Sequence, residues 1–144
     1  MPTGDADDCP VPSPIRPRNV RYIKLGNGGC WAEQSFEQGY VAFGYHAIPH
    51  EVCVAEDWDK VWRLLKDRKS DGARTAGRNE VAAFYEMGDD CLWVTFANGH
   101  LWWCFASTQV IWRGGHDGGQ PSRYRPTIGS WRNTDICGCV TVDS

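Results

Sequence analysis

Two apolar runs, CLWVTFA (91–97) and HLWWCFAS (100–107), meet at Asn98-Gly99. Asn-Gly accepts the positive φ values that a two-residue hairpin turn needs, so this dipeptide specifies two antiparallel strands and their register. No other feature narrows the fold as much. Side chains alternate along a strand, so the adjacent Trp102 and Trp103 leave on opposite faces, one towards a core and one towards a second surface. MGDD (87–90) is the turn that introduces the hairpin, and QVIW (109–112) is expected to add a further strand.

Around this hairpin the periodicity alternates between strand and helix. VRYIKL (20–25) reads as a strand that ends in the glycine-rich turn GNGGC (26–30). WAEQSFEQ (31–38) has the length of two helical turns, and GYVAFGY (39–45) is a second strand with Val41 and Phe43 on one face. The clearest helix is AEDWDKVWRLLKDRK (55–69): Trp58, Val61, Trp62 and Leu65 form one apolar stripe, with acids near the N-terminus and bases near the C-terminus. SDGARTAGR (70–78) reads as a polar linker and NEVAAFYEM (79–87) as a shorter helix. Strands flank helices without βαβ alternation. The expected class is therefore α+β: a small, mixed, mostly antiparallel barrel with flanking helices. The expected divisions are a flexible Pro- and Asp-rich arm at 1–18, a folded domain at 19–113, and a loop with a C-terminal segment at 114–144 leading into a downstream region.

Eight of 144 residues are tryptophan, more than a core of this size needs. Some are expected at a site where a flat apolar face with a polar tip is useful, as for a nucleobase. Net charge is −3, which argues against a non-specific DNA coat. The bases are nevertheless segregated. Arg16, Arg18, Arg21 and Lys24 form one run, residues 60–78 hold seven more, and Arg113, Arg123, Arg125 and Arg132 form a third. Such segregation allows a basic face on an acidic chain.

Seven cysteines at irregular spacing, with no export signal, read as reduced thiols in a cytoplasmic protein. Cys137-Gly-Cys139 and the His46/His50/Cys53 group lack the second half that a zinc site requires, so neither metal nor cofactor is expected. No run of apolar residues is long enough to span a membrane. Phosphate-loop, dinucleotide, metalloprotease, serine-hydrolase and deaminase signatures are all absent. Asp89 and Asp90 are a carboxylate pair, read first as turn formers.

RYIKLGNGGCWAEQSFEQGYVAFGY, followed by NEVAAFYEMGDDCLWVTFANGHLWWCFA, resembles the EVE/YTH-like branch of the PUA superfamily. The shared features are a strand, a Gly-rich turn, a short helix and a strand, and later a Gly-Asp turn entering a hairpin, here Gly88-Asp89-Asp90-Cys91-Leu92-Trp93. The tail RYRPTIGSWRNTDICG is similar to segments that follow such domains in prokaryotic defence proteins. The resemblance implies a DNA reader that flips a modified base (methylated or hydroxymethylated cytosine, or methyladenine) into an aromatic cage, with RNA as a variant target. It also implies a nuclease or other effector, downstream or in trans, that acts on the selected strand. By position it assigns Trp31 to one cage wall, Trp103 or Trp102 to a second, and Tyr45 or Phe43 to a third, with Gly29 and Cys30 beside the base. Backbone phosphates would fall to Arg16, Arg18, Arg21, Lys24, Arg74, Arg78, Arg123 and Arg125. Two other classes stay open. One is a small nucleotide-acting enzyme using Asp89, Asp90 or a histidine. The other is a protein-interaction module with an exposed tryptophan face.

Overall fold

The computed structural model describes residues 15–114 and 119–133. The Asn-Gly hairpin forms as expected. Asn98 and Gly99 take φ of 54° and 77°, and join β3 (Cys91–Ala97) to β4 (His100–Ala106) in antiparallel register. Before them come β1 (Asn19–Tyr22), a 3-10 turn (Asn27–Gly29), α1 (Ala32–Gln38), β2 (Tyr40–Phe43), α2 (His50–Val54), α3 (Trp58–Leu64) and α4 (Asp71–Glu86). After them come β5 (Ile111–Trp112) and β6 (Arg123–Asn133).

The strands form one six-stranded sheet in the order β1-β3-β4-β6-β2, with β5 also paired to β6. Only β1 and β3 run parallel. The pairing does not return from β2 to β1, so among the described residues the sheet is open. The class is a small mixed α+β fold with a mostly antiparallel sheet and four helices.

Three boundaries differ from the sequence expectation. First, β6 is an integral strand between β4 and β2, so the folded unit does not stop at 113. β6 combines a proline with a glycine, which hides its pattern. Pro126 lies opposite Tyr40, and Gly129, at φ 78°, sits where the register against β4 shifts. An irregularity of this kind lets one strand serve two neighbours. Second, the polar stretch 70–78 is the first half of α4. The Ser70 hydroxyl caps it by accepting from the Ala73 amide (3.1 Å), while α3 is shortened to a helix capped by Asp57. Third, residues 15–18 are not a loose arm. Pro17 is fully buried, and the Arg18 amide donates to the Asp90 carbonyl at 2.9 Å. Residues 1–14, 115–118 and 134–144, with Cys9, Cys137 and Cys139, lie outside the described residues.

The core lies between one face of the sheet and α1, α2 and α4. Trp93, Cys104, Ala106 and Trp131 supply the sheet side; Val81 and Phe84 supply α4. Arg123 and Arg125 sit on this same inner face, two residues apart on β6, and both are fully buried. The Arg123 guanidinium donates to the Tyr85 hydroxyl and to the carbonyls of Tyr45 (2.8 Å) and Ile48 (2.5 Å). That of Arg125 donates to the carbonyls of Ser107 (2.6 Å), Phe84 (3.1 Å) and Gly88 (3.3 Å). Each arginine thus fastens helix and turn carbonyls to the sheet through charge-assisted bonds. Truncating either leaves several buried acceptors unpaired, at about 1–3 kcal/mol for each. Arg125→Met should therefore lose about 3 kcal/mol or more in urea denaturation. Lys24→Met, on an exposed side chain, is the silent control.

Candidate functional site

A cleft of about 540 Å³ runs between β1, the exit of β2 and α4. Small-molecule sites commonly span about 300–1,000 Å³. Its inner end is aromatic. Phe43 and Phe84 stack in parallel at 4.2 Å, and Trp93 meets Phe84 edge-on at 5.7 Å. Its margin carries Tyr22, Tyr45, Arg21, Arg68 and Glu80. Tyr22 pairs with Val94, one position out of phase with the inward Arg21–Trp93 pair, so its ring lies on the outer face of the sheet beside Phe96 at 6.3 Å, while the half-buried Tyr45 ring faces the cleft.

The far wall is built from small residues. Ala73, Ala76 and Gly77 lie at i, i+3 and i+4 on α4, which places them on one helical face. A β-carbon on Gly77 would come within 3.0 Å of Leu65 and 3.5 Å of the Tyr45 hydroxyl. Glycine inside a helix costs about 1 kcal/mol relative to alanine. Here it lets Leu65, Tyr45 and Arg68 close on the helix.

One polar set occupies this corner. The Tyr45 hydroxyl donates to Glu80 Oε1 at 2.6 Å, and the Arg68 guanidinium lies 5.2 Å from the centre of the Tyr45 ring. Burial, and then the bond to the Glu80 carboxylate, push the Tyr45 hydroxyl up to about 12, so it stays protonated and keeps donating.

The cleft lies away from the glycine turn. Trp31 is buried, its indole N–H donating to the Gly119 carbonyl at 3.2 Å, with Gly26 packed so closely that a β-carbon there would reach the ring at 2.8 Å. It is a core residue and not a cage wall. Gly29 and Cys30 are exposed on the turn, away from the cleft. Trp102 stacks on Phe36 at 4.1 Å and donates to the Ala97 carbonyl. Trp103 points to the other face, with Arg132 5.9 Å from its ring. Of the base-binding candidates only Tyr45 and Phe43 line the cleft, together with Trp93 of the partner strand. The tryptophan surplus is absorbed mainly by internal contacts. Trp58 donates to Glu86, Trp62 lies 3.7 Å beneath Arg74, and Trp112 stacks on His50.

The basic candidates divide likewise. Arg123 and Arg125 are core residues, which removes them from any phosphate-contacting surface. Arg74 is held against Trp62 and donates to the Trp62 and Arg63 carbonyls, and Arg78 donates to Asn79. Arg16, Arg18 and Lys24 are exposed, while Arg21 is half-buried at the cleft margin. Sequence reading did not single out Tyr22, Arg68, Gly77 or Glu80. The basic run 60–78 was the only signal that touched this group.

Asp89 and Asp90 sit in the exposed turn before β3. His46 Nε2 pairs with the Gln120 carbonyl and His50 Nδ1 with the Tyr85 hydroxyl, so the two rings face different partners. Burial and then Arg123 hold His50 below the usual histidine range. Among the described residues no three His, Cys, Asp or Glu side chains come together as a metal site, and no helix is long and apolar enough to cross a membrane. No protein-family model, curated protein or solved structure matches the chain.

Behind the cleft, burial pushes the Cys91 thiol up from 9.0 to about 11. Between these values the unfolded chain releases the proton while the folded chain retains it, so stability falls as pH rises. The urea midpoint should drop from about pH 9 to 11, and less steeply in Cys91→Ala.

Proposed function

We propose that this chain is a nucleic-acid reader, not itself an enzyme, that holds an extruded, modified nucleobase in the cleft between β1 and α4. The observation that carries the reading is the cleft itself: an aromatic inner end, the half-buried Tyr45 ring, and two arginines at its margin. Stacking on such rings is worth about 1–3 kcal/mol per base, and must offset the few kcal/mol of unstacking that extrusion requires. Arg21 and Arg68 supply positive charge where the flanking phosphates would run, and exposed Arg16, Arg18 and Lys24 extend it along the β1 segment. The resemblance to EVE/YTH-like domains supports the same reading. In it the curled sheet is PUA-like, the target is DNA with a methylated or hydroxymethylated cytosine or a methyladenine, and the chain is the specificity module of a cytoplasmic defence system. A nuclease or other effector would then act on the selected strand.

Duplexes containing one 5-methylcytosine, 5-hydroxymethylcytosine or N6-methyladenine, compared with plain DNA at fixed salt, test this directly. At least one modification should tighten binding. Tyr45→Ala should weaken that complex by about 1–3 kcal/mol, and Ala76→Trp, which fills the cleft from an exposed position, should abolish the preference. Arg21→Ala should weaken all duplexes alike and reduce the salt slope by about one. Equal affinity for every duplex overturns the reading.

One observation favours a second reading, a protein-interaction module. Val20, Tyr22 and Phe96 are large, exposed and clustered at the β1 edge, with Tyr22 and Phe96 6.3 Å apart. Absence of nucleic-acid binding even at low salt, with capture of a partner lost in Phe96→Ser, would favour it.

A further inference from the structure

The cleft's polar corner has an orientation that its aromatic lining does not. We infer that Glu80 is the specificity-determining residue of this site, accepting a hydrogen bond from the exocyclic amino group of the bound base, so that 5-methylcytosine is held and thymine is refused. This inference rests on the nucleobase reading above and names the class of base within it.

Glu80 is exposed, lines the cleft, and has only Oε1 engaged by Tyr45 among the hydrogen bonds described. An ionised carboxylate accepts through both oxygens and donates through neither, so Oε2 can serve a ligand in the cleft only as an acceptor. The bond from Tyr45 fixes the carboxylate's position, and Tyr45 is itself wedged between Phe43, stacked at 5.2 Å, and Arg68. Arg68 is the complementary element, a donor-only guanidinium beside the same phenol. An anchored acceptor with a donor close by matches a base edge that presents an amino donor beside ring acceptors, and carboxylates pair with the cytosine amino group for this reason.

5-Methylcytosine and thymine have the same shape and the same methyl group. They differ in that the amino donor and ring acceptor of one become a carbonyl acceptor and a ring N–H donor in the other. A carbonyl directed at the Glu80 carboxylate places two acceptors face to face, and each buried polar mismatch of this kind is strongly disfavoured. Stacking on the aromatic lining would be unchanged between the two bases. The discrimination therefore falls on the polar corner.

The experiment compares oligonucleotide duplexes that carry one 5-methylcytosine or one thymine opposite an abasic site, which equalises the work of extrusion. Wild-type protein should prefer the 5-methylcytosine duplex by about tenfold or more, as one good base-edge contact gives. Glu80→Gln, on an exposed side chain, should fold normally and bring the two affinities together, because its amide can donate to the thymine carbonyl. The same variant should lower the Tyr45 titration midpoint, reporting loss of the carboxylate partner without any nucleic acid present. Tight but equal binding of both duplexes by the wild type overturns the inference and leaves the reader intact. A preference that survives in Glu80→Gln assigns the discrimination to another residue and also overturns it. Binding of neither duplex overturns the reading beneath it.

Discussion

Two buried arginines on one strand hold this fold together. Arg123 and Arg125 point from β6 into the interior, where a bare charge would be expensive. Their described partners are carbonyls, hydroxyls and a thiol drawn from five places: the turn after β2, α2, the end of α4, the segment after β4 and Ser122 just ahead of β6. Carbonyls at the end of a helix carry partial negative charge, so the bond from Arg125 to the Phe84 carbonyl stabilises both the cation and the terminus of α4. Through these contacts β6 sets the position of α4 over the sheet. The cleft is the gap that remains between them on the β1 side.

That gap persists because the opposing surfaces differ in size. The sheet side is aromatic and the α4 side is Ala73, Ala76 and Gly77. Phe43, Phe84 and Trp93 are packed edge and face against each other and are nearly sealed, so they form a rigid floor instead of collapsing into the space. The charged groups sit at the rim, where Arg68 and Glu80 keep contact with solvent. Rigid aromatic floor and charged rim together form the geometry that recognition of a flat polar ligand requires.

Much of the scaffold was legible in sequence because its signals are local. Asn98-Gly99 encodes its own turn, and the length of 31–38 matched α1. Apolar strand-like runs marked β1 and β2. β6 was illegible for the opposite reason: Pro126 and Gly129 break the local pattern, and the strand exists because β2 and β4 hold it from both sides. The start of α4 was hidden by Gly72 and Gly77, although the Ser70 cap was a readable signal that the glycines outweighed. In the site, Tyr45, Phe43 and Arg21 were legible as aromatic or basic residues near strand ends. Trp31 was misjudged because exposure after a glycine turn cannot be told from burial beneath it.

Sequence alone determined that the chain folds as a mixed α+β domain around an Asn-Gly hairpin, and that it carries more indole and segregated positive charge than an ordinary core needs. Those properties follow from residue type and near-neighbour spacing. Which indoles would be enclosed, and which arginines would be internal fasteners and which would line a cleft, was decided only by the tertiary structure. Tyr45, Arg68 and Glu80 are separated by 23 and 12 positions in the chain, and no local rule brings them together. They meet because long-range pairing along β6 sets where α4 rests.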